Sequence, residues 1–363
     1  MTSPAFSHAE YTARQDAVRR SMEKAGIDTL VVTEPANMCY LTGYDGWSFY
    51  VHQGVLVFQD ADPVWWGRNQ DTNGAVRTVW MGDDRVIGYA DNYVQSTERH
   101  PMEDLAQRLV GMGHETARLG VEMENYYFSA KAFKSLAESL PQARLIDATA
   151  LVNWQRNIKS AEEIVFMRKA ARISEKIVDG LLERVEPGIP KNEIVAEIQR
   201  DAILGADGAW GDYAAIVPLL PSGSDAAAPH LTWDGKPFNK GEATFFEISG
   251  CYRRYHAPLC RTIFLGEPPD LFLAAEDALV EGLEAGLEVA RAGNRACDIA
   301  NALNEIYARH GVLENRTFGY GHSFGVLSHY YGREAGLELR EDVETVLEPG
   351  MVVSMEPMIT IPE

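Results

Sequence analysis

The stretch Glu-Pro-Gly-Met-Val-Val-Ser-Met-Glu-Pro at residues 348–357 carries a glutamate, Glu356, in a predicted strand. Three earlier segments hold further acid–base groups, namely Pro229-His230, Phe246-Glu247-Ile248 and Gly321-His322-Ser323-Phe324-Gly325. Glu247 follows the apolar residues 243–246, so we expect it to project from a buried strand and to face Glu356 across a pocket. A carboxylate there costs free energy unless it is paired or used. The alternative for Glu247 is a buried partner of a nearby arginine.

Together these segments resemble the catalytic core of the superfamily that contains methionine aminopeptidase, aminopeptidase P, prolidase and creatinase. The metallopeptidases of that superfamily bind two divalent cations with Asp, Asp, His, Glu and Glu. Aligned on the dipeptide Arg261-Thr262, the two aspartate positions fall on Glu247 and Pro258, and the histidine and first glutamate are kept as His322 and Glu356. Proline has no side-chain donor atom for a metal.

The sequence ends at Glu363, before the further strand that should carry the last glutamate ligand. We therefore expect that strand to be missing. With this ligand and the one at Pro258 absent, we expect neither a metal nor another cofactor.

The resemblance also implies acid–base roles for three histidines. The position of His230 carries a substrate-facing histidine, that of His322 the metal ligand, and that of His329 a second acid–base or hydrogen-bonding group. Histidine suits proton transfer because its ordinary pKa lies near physiological pH. Retention of all three indicates that proton transfer is kept where metal binding is lost. Taken singly, each of them has a structural or merely exposed histidine as its alternative.

Four segments of the N-terminal half resemble the ectoine hydrolase family more closely still. They are residues 35–38, 40–53, 67–71 and 93–101. This resemblance implies a hydrolase that acts on a C–N bond and opens the cyclic amidine of ectoine to N-acetyl-2,4-diaminobutyrate without a metal.

In that reaction we expect Glu247 to be the nucleophile or to orient the attacking water, and His230 to be the acid–base group. Glu356 is expected to hold the amidinium, while His322 and His329 position the carboxylates or the ring. The alternatives are a metal-dependent Xaa-Pro peptidase in which His256 replaces the missing ligand, another creatinase-like amidinohydrolase, a metal-dependent lyase, and a non-catalytic pita-bread binding module.

Substrate-binding candidates lie at an aromatic cluster and at three arginines. Trp47, Phe49 and Tyr50 could form domain core, or could receive a cationic ring by cation–π contact. In creatinase-like dimers this segment reaches the partner's active site, so we expect a homodimer with the active site near the interface. The candidates for pairing with the carboxylate of a small zwitterionic substrate are Arg68, Arg99 and Arg333, of which Arg333 is favoured because it closely follows His329.

The length of 363 residues allows two domains, and the composition is that of a globular protein. A net charge of −20 argues against nucleic-acid and membrane partners, and neither a secretory signal nor a membrane-spanning run is visible, so we expect a cytoplasmic protein. Four scattered cysteines predict no disulfide framework.

The pattern of elements predicts two domains. Alternating helices and strands indicate an N-terminal creatinase-like α/β domain with a mixed sheet over residues 1–157, followed by a pita-bread α+β domain over 158–363. Predicted helices are 9–25, 99–112, 161–184, 191–204, 271–292 and 296–310, and predicted strands are 27–33, 51–58, 117–121, 243–252 and 261–265. Ser160 and Glu163 predict a capping box. Similar Gly-containing turns at 185–188 and 290–293 suggest two related half-domains.

Overall fold

The computed structural model describes residues 4–327, 334 and 337–361. The chain divides into two units, Met1–Arg156 and Asn157–Glu363. Within the described residues, no helix combines the length and hydropathy that a membrane crossing needs.

The first unit is built on a six-stranded mixed sheet in the order β4-β3-β2-β1-β5-β6. Its strands are β1 Thr29–Val32, β2 Gly54–Phe58, β3 Val64–Arg68, β4 Val86–Tyr89, β5 Arg118–Val121 and β6 Arg144–Asp147. Its helices are α1 His8–Ala25, α2 Pro35–Thr42, α3 Thr72–Thr78, α4 Pro101–Gly111, α5 Ala130–Ser139 and α6 Leu151–Arg156. β1 pairs antiparallel with β2 and parallel with β5, so the prediction of a mixed sheet is confirmed.

Two element boundaries of this unit differ from the sequence prediction for local reasons. The strand predicted from Val51 begins only at Gly54, because the Val51 amide closes a turn onto the Ser48 carbonyl at 3.1 Å. Helix α4 begins at Pro101, whose fixed φ suits the first helical position, and His100 caps it by accepting from the Met102 amide.

The second unit begins with a long helix whose start was predicted from its cap. Ser160 and Glu163 form the reciprocal capping box, so this prediction is confirmed. The helices and strands of the unit are α7 Ala161–Arg184, α8 Lys191–Leu204, β7 Ala243–Tyr252, β8 Tyr255–Phe264, α9 Asp270–Val289 and α10 Ala296–Arg309.

Two matching glycine turns relate the α7–α8 pair to the α9–α10 pair. Gly188 and Gly293 have φ of 94° and 96°, a left-handed conformation that favours glycine. The Gly188 amide donates to the Phe238 carbonyl at 2.8 Å, and the Gly293 amide donates to the Leu347 carbonyl at 2.9 Å. The two halves of the unit therefore repeat one backbone arrangement.

The turn between β7 and β8 consists of two arginines in left-handed conformations. Arg253 has φ of 48° and Arg254 has φ of 69°. The side chain of Arg254 is only 2% exposed, pairs with the Asp212 carboxylate at 2.8 Å, and lies 3.7 Å from the centroid of the Tyr213 ring. Because the turn spans only two residues, β8 begins at Tyr255, earlier than the predicted Arg261.

We expect opposite effects from two glycine substitutions in this turn. Arg253→Gly should raise the free energy of unfolding by about 1 kcal/mol, because glycine carries no left-handed penalty. Arg254→Gly relieves the same strain but should lower the free energy of unfolding by about 3 kcal/mol, because it leaves the Asp212 carboxylate without this partner. Urea unfolding of both variants measures the difference, and equal changes in the two would contradict this account.

Candidate active site

The β7–β8 hairpin has one apolar face and one polar face. Its apolar face, which includes Phe246, Ile248 and Leu259, packs into a core shared with α7 and α8. Side chains alternate along a strand, so the neighbouring residues Glu247, Ser249 and Cys251 point to the other face. The hairpin thereby presents polar groups on a rigid scaffold.

Direct cross-strand neighbours of this polar face come from β8. Glu247 lies opposite Cys260, and Ser249 lies opposite Pro258. Residues directly opposite in an antiparallel pair share a face, so the Cys260 thiol stands beside the Glu247 carboxylate, and the Pro258 ring lies on the same face beside Ser249.

The second half of the unit supplies Glu356 and His322. The Glu356 amide donates to the Tyr320 carbonyl at 2.8 Å, and the Ser354 amide donates to the His322 carbonyl at 2.9 Å, so the two segments lie side by side. Nδ1 of His322 bonds the Ser323 carbonyl at 2.8 Å, and Nε2 lies 3.5 Å from Glu356 Oε1. A carbonyl only accepts, so Nδ1 carries a proton and Nε2 is the nitrogen that faces the carboxylate.

The two glutamates occupy equivalent positions in the two halves. Gly241 and Gly350 have φ of 88° and 94°, and the same number of residues separates Gly241 from Glu247 as separates Gly350 from Glu356. The repeated backbone arrangement therefore delivers one carboxylate from each half.

The electrostatics of the site show that these carboxylates are close. Burial, and then the charge of Glu356, raise the pKa of Glu247 to about 7. Burial, followed by the charges of Glu247 and Glu356, raises the pKa of the Cys260 thiol, which therefore stays neutral. At neutral pH the Glu247 carboxyl is only partly ionised, and a cation bound between the two glutamates would favour its charged form.

The residues present do not fit the two-metal site of a metallopeptidase. Pro258 offers no donor atom where a ligand is needed, and over the residues that the structure describes no group of three or more His, Cys, Asp or Glu side chains is arranged to hold a metal. His256 is no replacement, because its Nδ1 bonds the Arg254 carbonyl and its Nε2 accepts from the Ala215 amide, each at 2.8 Å. Burial lowers the pKa of His256 to about 3, so it is a neutral structural residue.

The expected acid–base residue His230 lies in the segment that precedes β7. His230 is exposed in a segment tied back by hydrogen bonds from Leu231 to Ala228 and from Leu220 to Thr232. His329 and the favoured arginine, Arg333, lie outside the described residues. The structure thus brings together Glu247, Glu356 and His322.

The remaining candidates belong to the first unit. Trp47 and Tyr50 are 64% and 58% exposed, so within that unit they are not core, and Phe49, which is partly buried, packs edge-on against Trp47. Arg68 Nε donates to Asp91 Oδ1 at 2.6 Å. Arg99 is exposed, with its guanidinium 5.5 Å from the centroid of the Tyr93 ring.

Cys260 is the site residue that the sequence analysis missed as a functional candidate. The four cysteines, all of which are described, form no disulfide. A turn placed at Arg253-Arg254 would have paired Cys260 with Glu247 by counting outward along the hairpin. Two arginines are not a usual signal for such a turn, which favours Asn-Gly.

Replacing Glu247 should stabilise the protein at high pH. The folded-state pKa of about 7 lies above the ordinary value of 4.5, so folding favours the protonated form, and stability is lost as the pH rises from 4.5 through about 7. Glutamine stays neutral, so Glu247→Gln should melt at a higher temperature than the parent at about pH 8, with the gain shrinking at about pH 5. Thermal melts at both pH values measure it.

The exposed Glu267→Gln variant is the control, and no pH-dependent gain is expected there. A Glu247→Gln variant that is less stable than the parent at the higher pH would contradict the raised pKa of Glu247.

Two family models match the chain. The Creatinase/Prolidase N-terminal domain covers residues 14–158, and Metallopeptidase family M24 covers residues 165–363. The ectoine hydrolase of Halomonas elongata is 49% identical over 362 residues, which span 97% of this chain and 90% of that protein. The creatinase of a Bacillus species is 36% identical over 378 residues, spanning 99% of this chain and 86% of that protein.

A solved structure shows the same fold. The prolidase from Thermococcus sibiricus matches with a TM-score of 0.83 at 20% identity, covering 97% of this chain and 90% of that one. Together with the two family models, this confirms the predicted fold class, an N-terminal creatinase-like α/β domain followed by a pita-bread α+β domain.

Proposed function

The chain belongs to metallopeptidase family M24 and is a hydrolase, and we propose that it opens the cyclic amidine of ectoine without a metal ion, releasing N-acetyl-2,4-diaminobutyrate. The observation that carries this proposal is the buried Glu247 carboxyl, which the charge of Glu356 affects and which shares its face of the hairpin with Pro258, a residue without a metal-binding side chain. The 49% identity to an ectoine hydrolase supports the choice of substrate.

The charge of the substrate matches the charge of the site. Ectoine is a cyclic amidinium carboxylate whose amidine carbon is flanked by two nitrogens that share one positive charge. Burial, and then the charge of Glu356, raise the pKa of Glu247, so a negative charge on Glu247 is disfavoured while the site is empty of a cation. An amidinium between the two glutamates favours that charge and returns Glu247 to the carboxylate form that the reaction needs.

The reaction adds one water molecule across a C–N bond. Glu247 attacks the amidine carbon or orients the water that does so, and the bond from that carbon to one ring nitrogen breaks. His230 carries the proton to the leaving nitrogen, which departs as an amine. The carbon keeps its methyl group, its other nitrogen and the oxygen from water, which is the acetamide of the product.

Three further groups hold the reacting partners in place. Glu356 binds the amidinium, and Nε2 of His322, 3.5 Å from Glu356 Oε1, forms an ion pair with that carboxylate when the ring takes up a second proton. We assign His329, which lies outside the described residues, to positioning the carboxylates or the ring. The Cys260 thiol, neutral and opposite Glu247, adds no negative charge to a site that already has two carboxylates.

The substrate carboxylate needs a cationic partner. Arg68 already donates to Asp91 and Arg99 already lies near the Tyr93 ring, whereas Arg333 comes four residues after His329 along the chain. We therefore keep Arg333 as the first choice, with Arg99 and Arg68 after it.

Proton NMR of ectoine incubated with chelator-treated protein tests this function. We expect the ectoine signals to be replaced by those of N-acetyl-2,4-diaminobutyrate, because no step requires a metal. Glu247→Gln should form no detectable product, and His230→Ala should lose most of the rate. The melting temperatures of both variants serve as the control for folding.

Three other results would each contradict one part of the proposed function. Turnover that appears only after a divalent metal is added would show that the conclusion drawn from Pro258 is wrong. Ectoine that stays intact with and without metal would disprove the substrate, and creatine and Xaa-Pro dipeptides would be assayed next. Unchanged kinetics in Glu247→Gln would remove the nucleophile assignment.

We also propose a homodimer in which the exposed Trp47 and Tyr50 serve the active site of the partner. Exposed aromatic side chains that cluster at one surface mark interaction sites. In such a dimer, Trp47→Ala and Glu247→Gln should each be nearly inactive. Unfolding and refolding the two variants together makes half of the dimers mixed, and each mixed dimer holds one intact site. The mixture should therefore recover about a quarter of the parent activity.

The measurement is ectoine turnover before and after mixing, with sedimentation equilibrium to give the mass. A monomeric protein would disprove the dimer. A dimer that recovers no activity on mixing would place Trp47 in its own subunit's site or in none.

A further inference from the structure

A fully buried ion pair lies behind the active-site histidine. Lys159 Nζ donates to the Glu334 carboxylate, and the two side chains are 1% and 0% exposed. Lys159 Nζ also donates to the Asn157 carbonyl at 3.3 Å, and the Lys159 amide donates to the Gly350 carbonyl at 2.8 Å. Lys159 therefore joins the segment before α7 to the turn that precedes the Glu356 segment.

Stability alone is a weak reason to bury this pair. Two charges lose their hydration in the interior, and a well-packed apolar pair of similar size often gives an equally stable or more stable protein. The surroundings are nevertheless shaped for the pair, because a Cβ on Gly325 would lie 2.8 Å from Glu334 Oε1 and 2.9 Å from Lys159 Cε. The glycine at position 325 thus leaves room for the ion pair, which a side chain there would displace.

The pair is connected to His322 through one serine. Ser323 Oγ donates to the Glu334 carbonyl at 3.0 Å, and the Glu334 amide points to the Ser323 carbonyl at 3.4 Å. That same Ser323 carbonyl accepts the proton of His322 Nδ1 at 2.8 Å. The position of Glu334 therefore sets the position of the acceptor that selects the tautomer of His322 and directs Nε2 toward Glu356.

We infer that Lys159 and Glu334 are positioning residues for His322: their ion pair holds the Ser323 carbonyl where it keeps the His322 proton on Nδ1. This inference rests on the proposed function only for its effect on the rate. The tautomer of His322 is a property of the unliganded protein and is tested without any substrate.

The first readout is the tautomer. In protein labelled with ¹⁵N in the histidine rings, the shifts of the two ring nitrogens show which one carries the proton, and the resonances lost in His322→Gln assign that ring among the nine histidines. With the spectra recorded at about pH 9, where imidazole rings are neutral, we expect an Nδ1-protonated ring in the parent and a mixture of tautomers in Lys159→Met. An unchanged ring in Lys159→Met would overturn the inference.

Gly325→Ala and the double variant Lys159→Met/Glu334→Leu separate positioning from stability. Gly325→Ala forces the pair apart without removing a charge, so it should also give a mixture of His322 tautomers. This variant provides the test if Lys159→Met fails to fold. The double variant removes both buried charges and should regain most of the melting temperature lost in Lys159→Met. Its tautomers should remain mixed. If the tautomer recovered together with the melting temperature, the pair would be merely structural.

The second readout is the rate of ectoine hydrolysis. We expect kcat to fall by roughly tenfold or more in Lys159→Met and in the double variant while KM changes by less than about threefold, since the loss affects orientation rather than binding. A double variant that regains the parent kcat would overturn the inference. If the parent itself does not hydrolyse ectoine, the proposed function fails, and the tautomer measurement still decides the role of the pair.

Arg184→Met is the matched control. Arg184 pairs with the buried Asp201 at 2.8 Å between α7 and α8, and the contacts traced from Lys159 to His322 do not include it. We expect this variant to lose stability and to leave the His322 tautomer unchanged. A tautomer shift in Arg184→Met equal to that in Lys159→Met would show that general destabilisation moves the ring, and would also overturn the inference.

Discussion

The register of the β7–β8 ladder is the constraint on which the active site depends. Because side chains alternate, a slip of one residue would turn Glu247 into the core of α7 and α8 and bring Ile248 to the polar face. The register is held where helix α7 approaches most closely, since the Gly250 amide donates to Ser174 Oγ at 2.8 Å and a Cβ on Gly250 would lie 2.3 Å from the Ala170 carbonyl. The close packing of the β7 backbone against α7 thus fixes which side chains lie on the polar face of the hairpin.

Repetition within the second unit explains why the site has two facing carboxylates. Each half turns at a left-handed glycine, Gly241 or Gly350, and reaches a glutamate after the same number of residues. A site formed where two such halves meet collects like charges, and these charges need a cation or a proton between them. Burial, and then the charge of Glu356 from the other half, raise the pKa of Glu247.

Signals from neighbouring residues predicted much of the fold, whereas contacts between residues distant in sequence were not predicted. The capping box at Ser160 and the helix from Lys191 to Leu204 follow from neighbouring residues, so the sequence predicts them correctly. The early start of β8 was missed because its turn is built from arginines held by Asp212 and Tyr213, which are distant in sequence. The pairing of Lys159 with Glu334 has no local signature at all, since it joins residues 175 positions apart.

The absence of a metal-binding side chain at Pro258 and the proposed cationic substrate have the same chemical explanation. A peptide bond is neutral and weakly electrophilic, so a site that cleaves it gains from a metal that polarises the carbonyl. An amidinium carbon is already polarised by its own charge, and it brings the cation that Glu247 and Glu356 require. Proline at position 258 would disable a two-metal peptidase site, yet it removes nothing that the proposed reaction uses. In the proposed reaction, a substrate that carries a positive charge into the site therefore takes the role that a metal has in a peptidase.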